Sequence, residues 1–210
     1  MVEENGIFEN SEHISKKLII AIVLLGLVVA FIPIGLTVSF IHTYNELVDL
    51  EEDVELSKAN VQEKMQRRLE LLTDLMETVE ASTDYKERSY EYIADAQAAL
   101  VESLKSGDTQ EIGEANAKLT IAINDLIKAI DKNYPELISG EEYTRLMDDI
   151  EGSINRISIA RDTYNAYVSE YNRKIRKFPG AWVAKFFGFK EIEPFEADEA
   201  AKSVNIIEFN

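Results

Sequence analysis

The run from Leu18 to Ile41 contains no charged residue, and no other feature of the chain constrains its fold as strongly. As an α-helix this run extends about 36 Å, which is enough to cross the roughly 30 Å hydrocarbon core of a bilayer. The apolar core of a secretory signal is about half as long, and Thr37 and Ser39 match its small-residue cleavage site poorly. The sequence therefore predicts a retained transmembrane helix over residues 18–41.

Basic residues flank the apolar run on one side only. Lys16 and Lys17 precede it directly, whereas the first basic residue after it is Lys58, and the charged residues between are all acidic. Because lysine and arginine near a span remain on the cytoplasmic side, this asymmetry predicts a short cytoplasmic arm over residues 1–17. The rest of the chain is then the extracytoplasmic part of a single-pass protein of the cell membrane.

The charge and residue content of the chain argue against several classes of function. A formal charge of −17 argues against nucleic-acid binding, which needs a basic surface. The absence of cysteine excludes disulfides and thiolate metal sites. Both histidines, His13 and His42, precede residue 43, so the rest of the chain lacks the residues for a Ser-His-Asp triad, a di-iron site or a typical zinc site. The sequence predicts neither an enzyme nor a cofactor.

After the apolar run, apolar residues recur at every third or fourth position, as in amphipathic helices that pack together. This period predicts helices at about 44–82, 84–105, 108–132 and 140–177. Cap-type residues at Ser82–Asp84 and Ser106–Asp108 separate the first three helices. Pro135 ends the third, because proline disfavours helix in the residue before it.

These lengths predict an all-α fold. An N-terminal transmembrane helix is followed by an antiparallel, up-down-up-down helical bundle over residues 43–178, with two long outer helices and a shorter middle hairpin. Residues 179–210 then form a basic and aromatic segment and an acidic C-terminal tail. Because the fourth helix returns towards the side from which the first one leaves, its end is expected close to the bilayer.

The stretch from Tyr171 to Lys190 carries basic and aromatic residues but no acid, in a chain that is strongly acidic as a whole. Such a mixture suits a lipid interface, where rings lie at headgroup depth and cations contact anionic lipid. The candidate interface residues are Lys174, Lys177, Phe178, Trp182, Lys185, Phe186, Phe187, Phe189 and Lys190. The alternative is that the rings cap the open end of the bundle while the cations complement the helix dipole.

Two arginines, Arg68 and Arg161, lie on otherwise apolar helix stripes. A buried charge is costly without a partner, so each is expected to meet a carboxylate, a carbonyl or an aromatic ring. If the two long helices pair with residue 44 opposite residue 177, Arg68 falls near Ser153 and Glu151, and Arg161 falls near Asn60.

Polar residues on the helix seams have two interpretations. The candidates for structural or partner contacts are Arg67, Arg68, Glu151, Arg161, Asn165 and Asn172, the last two of which lie one heptad apart. The simpler interpretation is that they form internal contacts that fix the register of the helices. The alternative is that they form a ligand or partner site.

Several short motifs, in their order and spacing, resemble the LemA family over nearly the whole chain. The matching pieces are Tyr44-Asn45, Leu47-Val48, Leu50, Gln66-Arg67-Arg68, Leu71, Thr78-Val79, Asn133–Leu137, Glu151–Ile157, Ala160-Arg161, Tyr164-Asn165, Tyr171-Asn172, Phe178-Pro179, Phe187-Gly188-Phe189 and Pro194-Phe195. The resemblance implies a bacterial-type protein with an N-terminal membrane helix, an antiparallel bundle outside the cytoplasm, and no established catalytic activity or cofactor.

Three positions depart from the pattern of that family. Lys58 stands where the family usually has tryptophan, Thr73 where it has proline, and Tyr85 at the start of a pair that tends to be His-Glu. If these positions form a partner surface, its specificity in this chain differs from that of the family.

The sequence is best interpreted as a non-enzymatic, membrane-anchored helical scaffold at the cell envelope. Its expected partners are membrane lipid, an unidentified protein and further copies of itself, but not nucleic acid. The alternative is a ligand-binding or sensory module in which Arg68 and Arg161 read an anionic ligand and a partner protein transmits the signal. The absence of a second apolar run that leads to a cytoplasmic output domain favours the scaffold.

Overall fold

A computed structural model describes residues 3–82 and 89–196, and all the regular structure in these ranges is helical. The helices are α1 (Glu3–Ser82), α2 (Ser89–Ser106), α3 (Thr109–Asn133), α4 (Pro135–Ile138), α5 (Glu141–Arg176) and α6 (Gly180–Phe187). The predicted all-α class, with a long apolar N-terminal helix followed by packed helices, is therefore confirmed. The predicted start of the second helix near residue 84 lies outside the described residues.

Helix α1 joins two segments that the sequence analysis treated separately. It runs unbroken for 80 residues, through Pro33 and through the junction at Thr43 between the apolar run and the first bundle helix. That junction contains no glycine or proline that would end a helix. Within the described residues, α1 is the one helix that is long and apolar enough to cross a membrane.

The hairpin of α2 and α3 forms as its turn chemistry predicts. Gly107 adopts a left-handed φ of 72°, which favours glycine, and the backbone reverses there. The carboxylate of Asp108 then accepts hydrogen bonds from the backbone N–H groups of Gln110 and Glu111, both at 2.9 Å, and caps α3. Helices α2 and α3 pack against each other along their length.

The predicted break at Pro135 is present. Helix α3 ends at Asn133, and Pro135 opens the short helix α4, where its missing N–H would have no intrahelical partner anyway. Leu137 of α4 is buried, and Gly140 precedes α5.

The buried positions follow the predicted helical period, with local shifts. On α5 the seam residues Tyr143, Met147, Ile150, Ile157, Tyr164, Val168, Tyr171 and Ile175 are all buried. At two steps the buried residue is the one before the predicted position. Ser153 is buried rather than Ile154, and Ala160 rather than Arg161. At each of these steps the smaller residue, Ser153 or Ala160, fits the close packing between the helices, and its larger neighbour is half-buried.

The described chain divides into two compact units. The first consists of Met1–Val48 with Lys174–Lys190, and the second of Asp49–Arg173 with Glu191–Asn210. In the first unit Lys174 lies opposite Glu46, one residue from the predicted register. In the second unit Asp74 of α1 and Arg145 of α5 line the same cleft, as an antiparallel pairing of these helices requires.

Candidate functional site

Arg68 is the most deeply buried charged residue described. Its side chain is 1% exposed, at the centre of the stripe that α1 turns to the bundle. Its Nη1 donates hydrogen bonds to Asn116 Oδ1 at 2.8 Å and to Thr120 Oγ1 at 3.0 Å, both on α3. Thr120 in turn donates to the backbone carbonyl of Asn116 at 2.9 Å. Arg68 therefore ties α1 to α3 through neutral acceptors.

The expected pairing of Arg68 with Glu151 does not match these contacts. Glu151 is exposed on α5, although the register that suggested the pairing is close to the observed one. The register of the two long helices relates α1 to α5 alone, whereas in a bundle a seam residue also faces the hairpin. Neighbouring Arg67 points to solvent and pairs with Glu70 at 2.7 Å.

Asn165 and Asn172 bind a non-helical C-terminal segment, residues 191–196, which we call the strap. Asn172 Nδ2 donates to the Ile192 carbonyl at 2.7 Å, and the Ile192 N–H donates to Asn172 Oδ1 at 3.0 Å. Asn165 repeats the pattern with Phe195, at 2.9 Å from Nδ2 to the carbonyl and 2.8 Å from the Phe195 nitrogen to Oδ1. Each amide thus satisfies both backbone groups of one strap residue.

The spacing of the two asparagines fits the geometry of the strap. Seven residues along a helix advance about 10.5 Å, and three residues of nearly extended chain cover about 10 Å. Positions 165 and 172 therefore match positions 195 and 192 in the opposite chain direction. The seven-residue spacing of the two asparagines therefore matches the distance between Ile192 and Phe195 in a nearly extended strap that runs antiparallel to α5.

Two further side chains of α5 hold the strap at its far end. Tyr164 donates from its hydroxyl to the Glu193 carbonyl at 3.0 Å, and its ring meets buried Phe195 edge-on at 5.1 Å. Arg161 lies over the Phe195 ring, 5.3 Å from its centroid, and its Nη2 donates to the Glu196 carbonyl. Arg161 thus meets a carbonyl and an aromatic ring, two of the predicted partner types, and both belong to the strap.

Two buried phenols of the bundle, Tyr143 and Tyr164, are unsuited to acid–base chemistry at physiological pH. Burial raises the pKa of Tyr143 to about 12, and the carboxylate of Asp131 adds to the effect. Burial, with the carboxylate of Glu193, also raises the pKa of Tyr164. Both hydroxyls therefore stay protonated. Among the described residues, no three His, Asp or Glu side chains cluster as metal ligands.

An open cleft of about 410 Å³ lies between α1 and α5 within the second unit. It is lined by Asp74, Glu77, Thr78, Ala81, Glu142, Arg145 and Leu146. Three carboxylates and one guanidinium leave it acidic, so it does not suit the anionic ligand of the sensory alternative. The guanidinium groups of that alternative, Arg68 and Arg161, are bonded to the protein itself.

Helix α6 follows α5 through the cis Phe178–Pro179 bond. Gly180, Val183 and Ala184 form its buried face. A side chain at Gly180 would overlap the backbone carbonyl of Lys174, so only glycine permits this close approach to α5. Gly188 ends α6 with a left-handed φ of 86°.

The large rings of this region point outward. Phe178, Trp182 and Phe186 are 70%, 69% and 77% exposed, and Phe187 is about half exposed. Together these four residues form what we call the aromatic face. The buried positions of α6 belong to its smaller residues, Gly180, Val183 and Ala184.

The aromatic face is continuous with the end of the apolar run. Phe40 lies 6.3 Å from the Phe186 ring and 6.4 Å from the Phe187 ring, between centroids. One turn later Tyr44 contacts Phe187 at 4.5 Å and Phe189 at 5.8 Å. These separations are typical of favourable tilted and edge-to-face aromatic pairs.

The lysines of this region fall into two groups. Lys174 is half-buried, and its Nζ lies 2.6 Å from Glu46 Oε2. Its hydrogen bond is the main reason that the pKa of Glu46 lies below the ordinary value, and the charge of His42 adds to the effect. Lys177, Lys185 and Lys190 are exposed beside the aromatic face.

Two of the three positions that depart from the family pattern, Lys58 and Thr73, lie in the described part of the chain. Lys58 Nζ lies 3.7 Å from the place that a side chain at Gly107 would occupy, over the turn between α2 and α3. Thr73 is exposed and donates to the Leu69 carbonyl at 3.1 Å. Tyr85 lies outside the described residues.

Sequence reasoning identified Arg161, Asn165 and Asn172 but missed the segment they bind. The available signal was the pair Pro194-Phe195, an apolar residue behind a proline in an otherwise acidic stretch. Phe195 is buried, which explains its presence there.

Comparison with known proteins gives a consistent set of relatives. A family model described as LemA family matches residues 57–209. Two magnetosome proteins of Paramagnetospirillum magneticum, MamQ 1 and MamQ 2, are each 26% identical over 180 residues, which covers 75% of this chain and 66% of the relative. Magnetosome protein MamQ of Magnetospirillum gryphiswaldense is 25% identical over 179 residues, with the same coverage. The chain thus spans 66% of the length of these relatives.

Proposed function

Because the chain belongs to the LemA family, we propose that it is a membrane-anchored, non-enzymatic helical scaffold. In this proposal residues 18–41 cross the membrane once, residues 1–17 stay in the cytoplasm, and the helical bundle lies outside it. The bundle binds a protein partner or further copies of itself at the envelope surface.

The observation that carries the proposal is the exposure of the apolar run. From Ala21 to Ile41, all but one of the side chains described on α1 are exposed around the whole circumference of the helix, and Phe40 is half-buried. A helix that is apolar all round is covered either by protein or by lipid. In this chain its length suits a bilayer, which supports a membrane anchor.

The use of polar groups in the bundle supports a structural role rather than catalysis. Arg68 ties α1 to α3, while Arg161, Asn165 and Asn172 hold the strap. These side chains bond to internal groups, and the buried Tyr143 and Tyr164 stay protonated. A framework of this kind presents a fixed outer surface to partners.

Photocrosslinking in intact membranes tests the scaffold. A photoreactive phenylalanine analogue replaces Leu56, Tyr92 or Ile159, which are exposed apolar residues of the second unit. Matched controls carry it at Glu102 or Lys128, which are exposed charged positions. We expect discrete adducts of higher mass, identified by mass spectrometry, from at least one apolar position and not from the controls. Uniform absence of adducts would contradict the scaffold.

The sensory alternative is tested separately by thermal melts. Phosphate, sulfate and citrate are added to the full chain in detergent, and the thermal midpoint is measured. A scaffold with internally bonded arginines predicts no specific shift. A saturable shift that disappears in Arg161→Met would favour an anion-binding function instead.

A further inference from the structure

We propose that the aromatic face of α6 is a lipid-binding surface that lies in the headgroup region of an anionic bilayer. This inference rests on the proposed membrane anchoring and deepens it. It assigns the anchored protein a second contact with lipid and names the residues that make it.

The pattern of burial on α6 is the reverse of that in a water-exposed helix. Its small residues, Gly180, Val183 and Ala184, face inward, and its large rings face outward. Phe178 and Trp182 stack edge-on at 5.7 Å, as do Phe186 and Phe187 at 5.0 Å. The result is an exposed apolar patch, and contiguous patches of this kind mark interaction surfaces.

The position of the patch indicates lipid as its occupant. Phe40 belongs to the uncharged run, and its ring contacts Phe186 and Phe187 within the same compact unit. A bilayer crossed by residues 18–41 ends close to Phe40, so the rings that touch Phe40 lie at the same depth. Tryptophan and other amphipathic rings favour that depth.

The charges around the patch indicate anionic lipid. Between Tyr171 and Lys190 the chain contains no acidic residue, although its formal net charge is −17. Lys177, Lys185 and Lys190 are exposed, whereas Lys174 is neutralised by Glu46. An acidic protein is repelled by an anionic membrane except where such a local cationic surface meets it.

The test uses the full chain in lipid nanodiscs and the fluorescence of Trp182, the one tryptophan of the chain. Bilayers contain phosphatidylcholine alone or with phosphatidylglycerol, and each is prepared with and without bromine on the acyl chains near the headgroup. We expect Trp182 to be quenched by brominated lipid, shielded from aqueous acrylamide and blue-shifted, most strongly with phosphatidylglycerol.

Variants that remove lysines test whether the aromatic face binds anionic lipid or only lies close to the bilayer. The triple variant Lys177→Gln, Lys185→Gln, Lys190→Gln removes three exposed lysines of the patch. Its control, the corresponding triple variant of Lys105, Lys118 and Lys128, removes three exposed cations from α2 and α3. We expect the patch variant to weaken docking about fivefold per cation, or about 100-fold in all, and the control to leave it unchanged.

An apolar variant tests the rings themselves. Phe186→Ser removes the most exposed ring of the patch, and Ile159→Ser is the control at an exposed apolar position of the second unit. We expect only Phe186→Ser to increase the access of acrylamide to Trp182.

Anchoring is measured separately so that its failure is distinguishable. The chain has no cysteine, so Val29→Cys carries a single environment-sensitive dye within the apolar run. A buried dye at position 29 with Trp182 open to acrylamide and unquenched by lipid would overturn the lipid contact while leaving the anchor intact. Trp182 shielded from acrylamide but unquenched by brominated lipid, equally in both bilayers, would overturn it in favour of a protein contact. An exposed dye at position 29 would overturn the anchor and the inference together.

Discussion

Removing the Asn172 side chain should release the strap locally without unfolding the bundle. Asn172→Ala deletes the acceptor of the Ile192 N–H and the donor to the Ile192 carbonyl. A net hydrogen bond contributes about 1 kcal/mol, so the loss of two weakens this point of the strap by about 2 kcal/mol. The bundle core does not change, because Asn172 itself is only half-buried.

Amide hydrogen exchange of the full chain in detergent measures this loss directly. A weakening of about 2 kcal/mol corresponds to exchange about 30-fold faster at the Ile192 amide. Asn165→Ala should have the same effect at the Phe195 amide, whose N–H is bound by Asn165. The control is Asn155→Ala, at an exposed position of the same helix.

Two outcomes would refute the reasoning. Unchanged exchange at Ile192 in Asn172→Ala would show that the asparagine does not hold the strap. Equal acceleration in Asn155→Ala would show that the effect comes from α5 as a whole rather than from the paired amide bonds.

Three further predictions concern stability of the full chain in detergent. Arg68→Met and Asn116→Ala should together cost about 1 kcal/mol less than the sum of the single changes in a thermal or urea melt, and additive costs would contradict their contact. Gly180→Ala should destabilise the fold by about 1–3 kcal/mol or more, because the added methyl group overlaps the last turn of α5. Gly113→Ala on α3, where the added methyl group would make only an ordinary van der Waals contact, should stabilise the fold by about 0.5–1 kcal/mol. Equal effects of the two substitutions would contradict the steric explanation. The pKa of Glu46 is lowered in the folded state. Its ion pair therefore stabilises the fold at pH values above the ordinary pKa of 4.5, and this stabilisation is lost as the pH falls through the lower pKa of the folded state. Glu46→Gln should therefore reduce the loss of thermal stability between pH 7 and pH 4, by less than about 1 kcal/mol because the pair is partly exposed, and an unchanged loss would count against the pair.

Local chemistry made much of the fold predictable from sequence. Helix α3 begins where Asp108 caps it, and Pro135 separates it from α5, because these signals act within a few residues. The buried face of α5 was equally predictable, since buried positions recur every three or four residues along a packed helix. The prediction was wrong at Ile154 and Arg161, where the preceding small residue is buried instead.

The partners of the polar residues were not predictable in the same way. The residues next to Arg68 in the sequence do not indicate that Asn116 and Thr120 of α3 accept its hydrogen bonds. The strap is bound largely through backbone atoms, which carry no signature in residue type. In α6, apolar residues occupy nearly every position, so periodicity cannot decide which face is buried.

The central claim is a single membrane crossing with the bundle outside the cytoplasm, and cysteine labelling tests it most directly. Ser106→Cys, at the last residue of α2, and Ser11→Cys, before the apolar run, each provide one thiol in a chain that has none. In intact cells, with any outer envelope permeabilised, a membrane-impermeant maleimide should label position 106 readily and position 11 only after lysis. Labelling of position 11 with protection of position 106 would contradict the claim, and so would labelling of both.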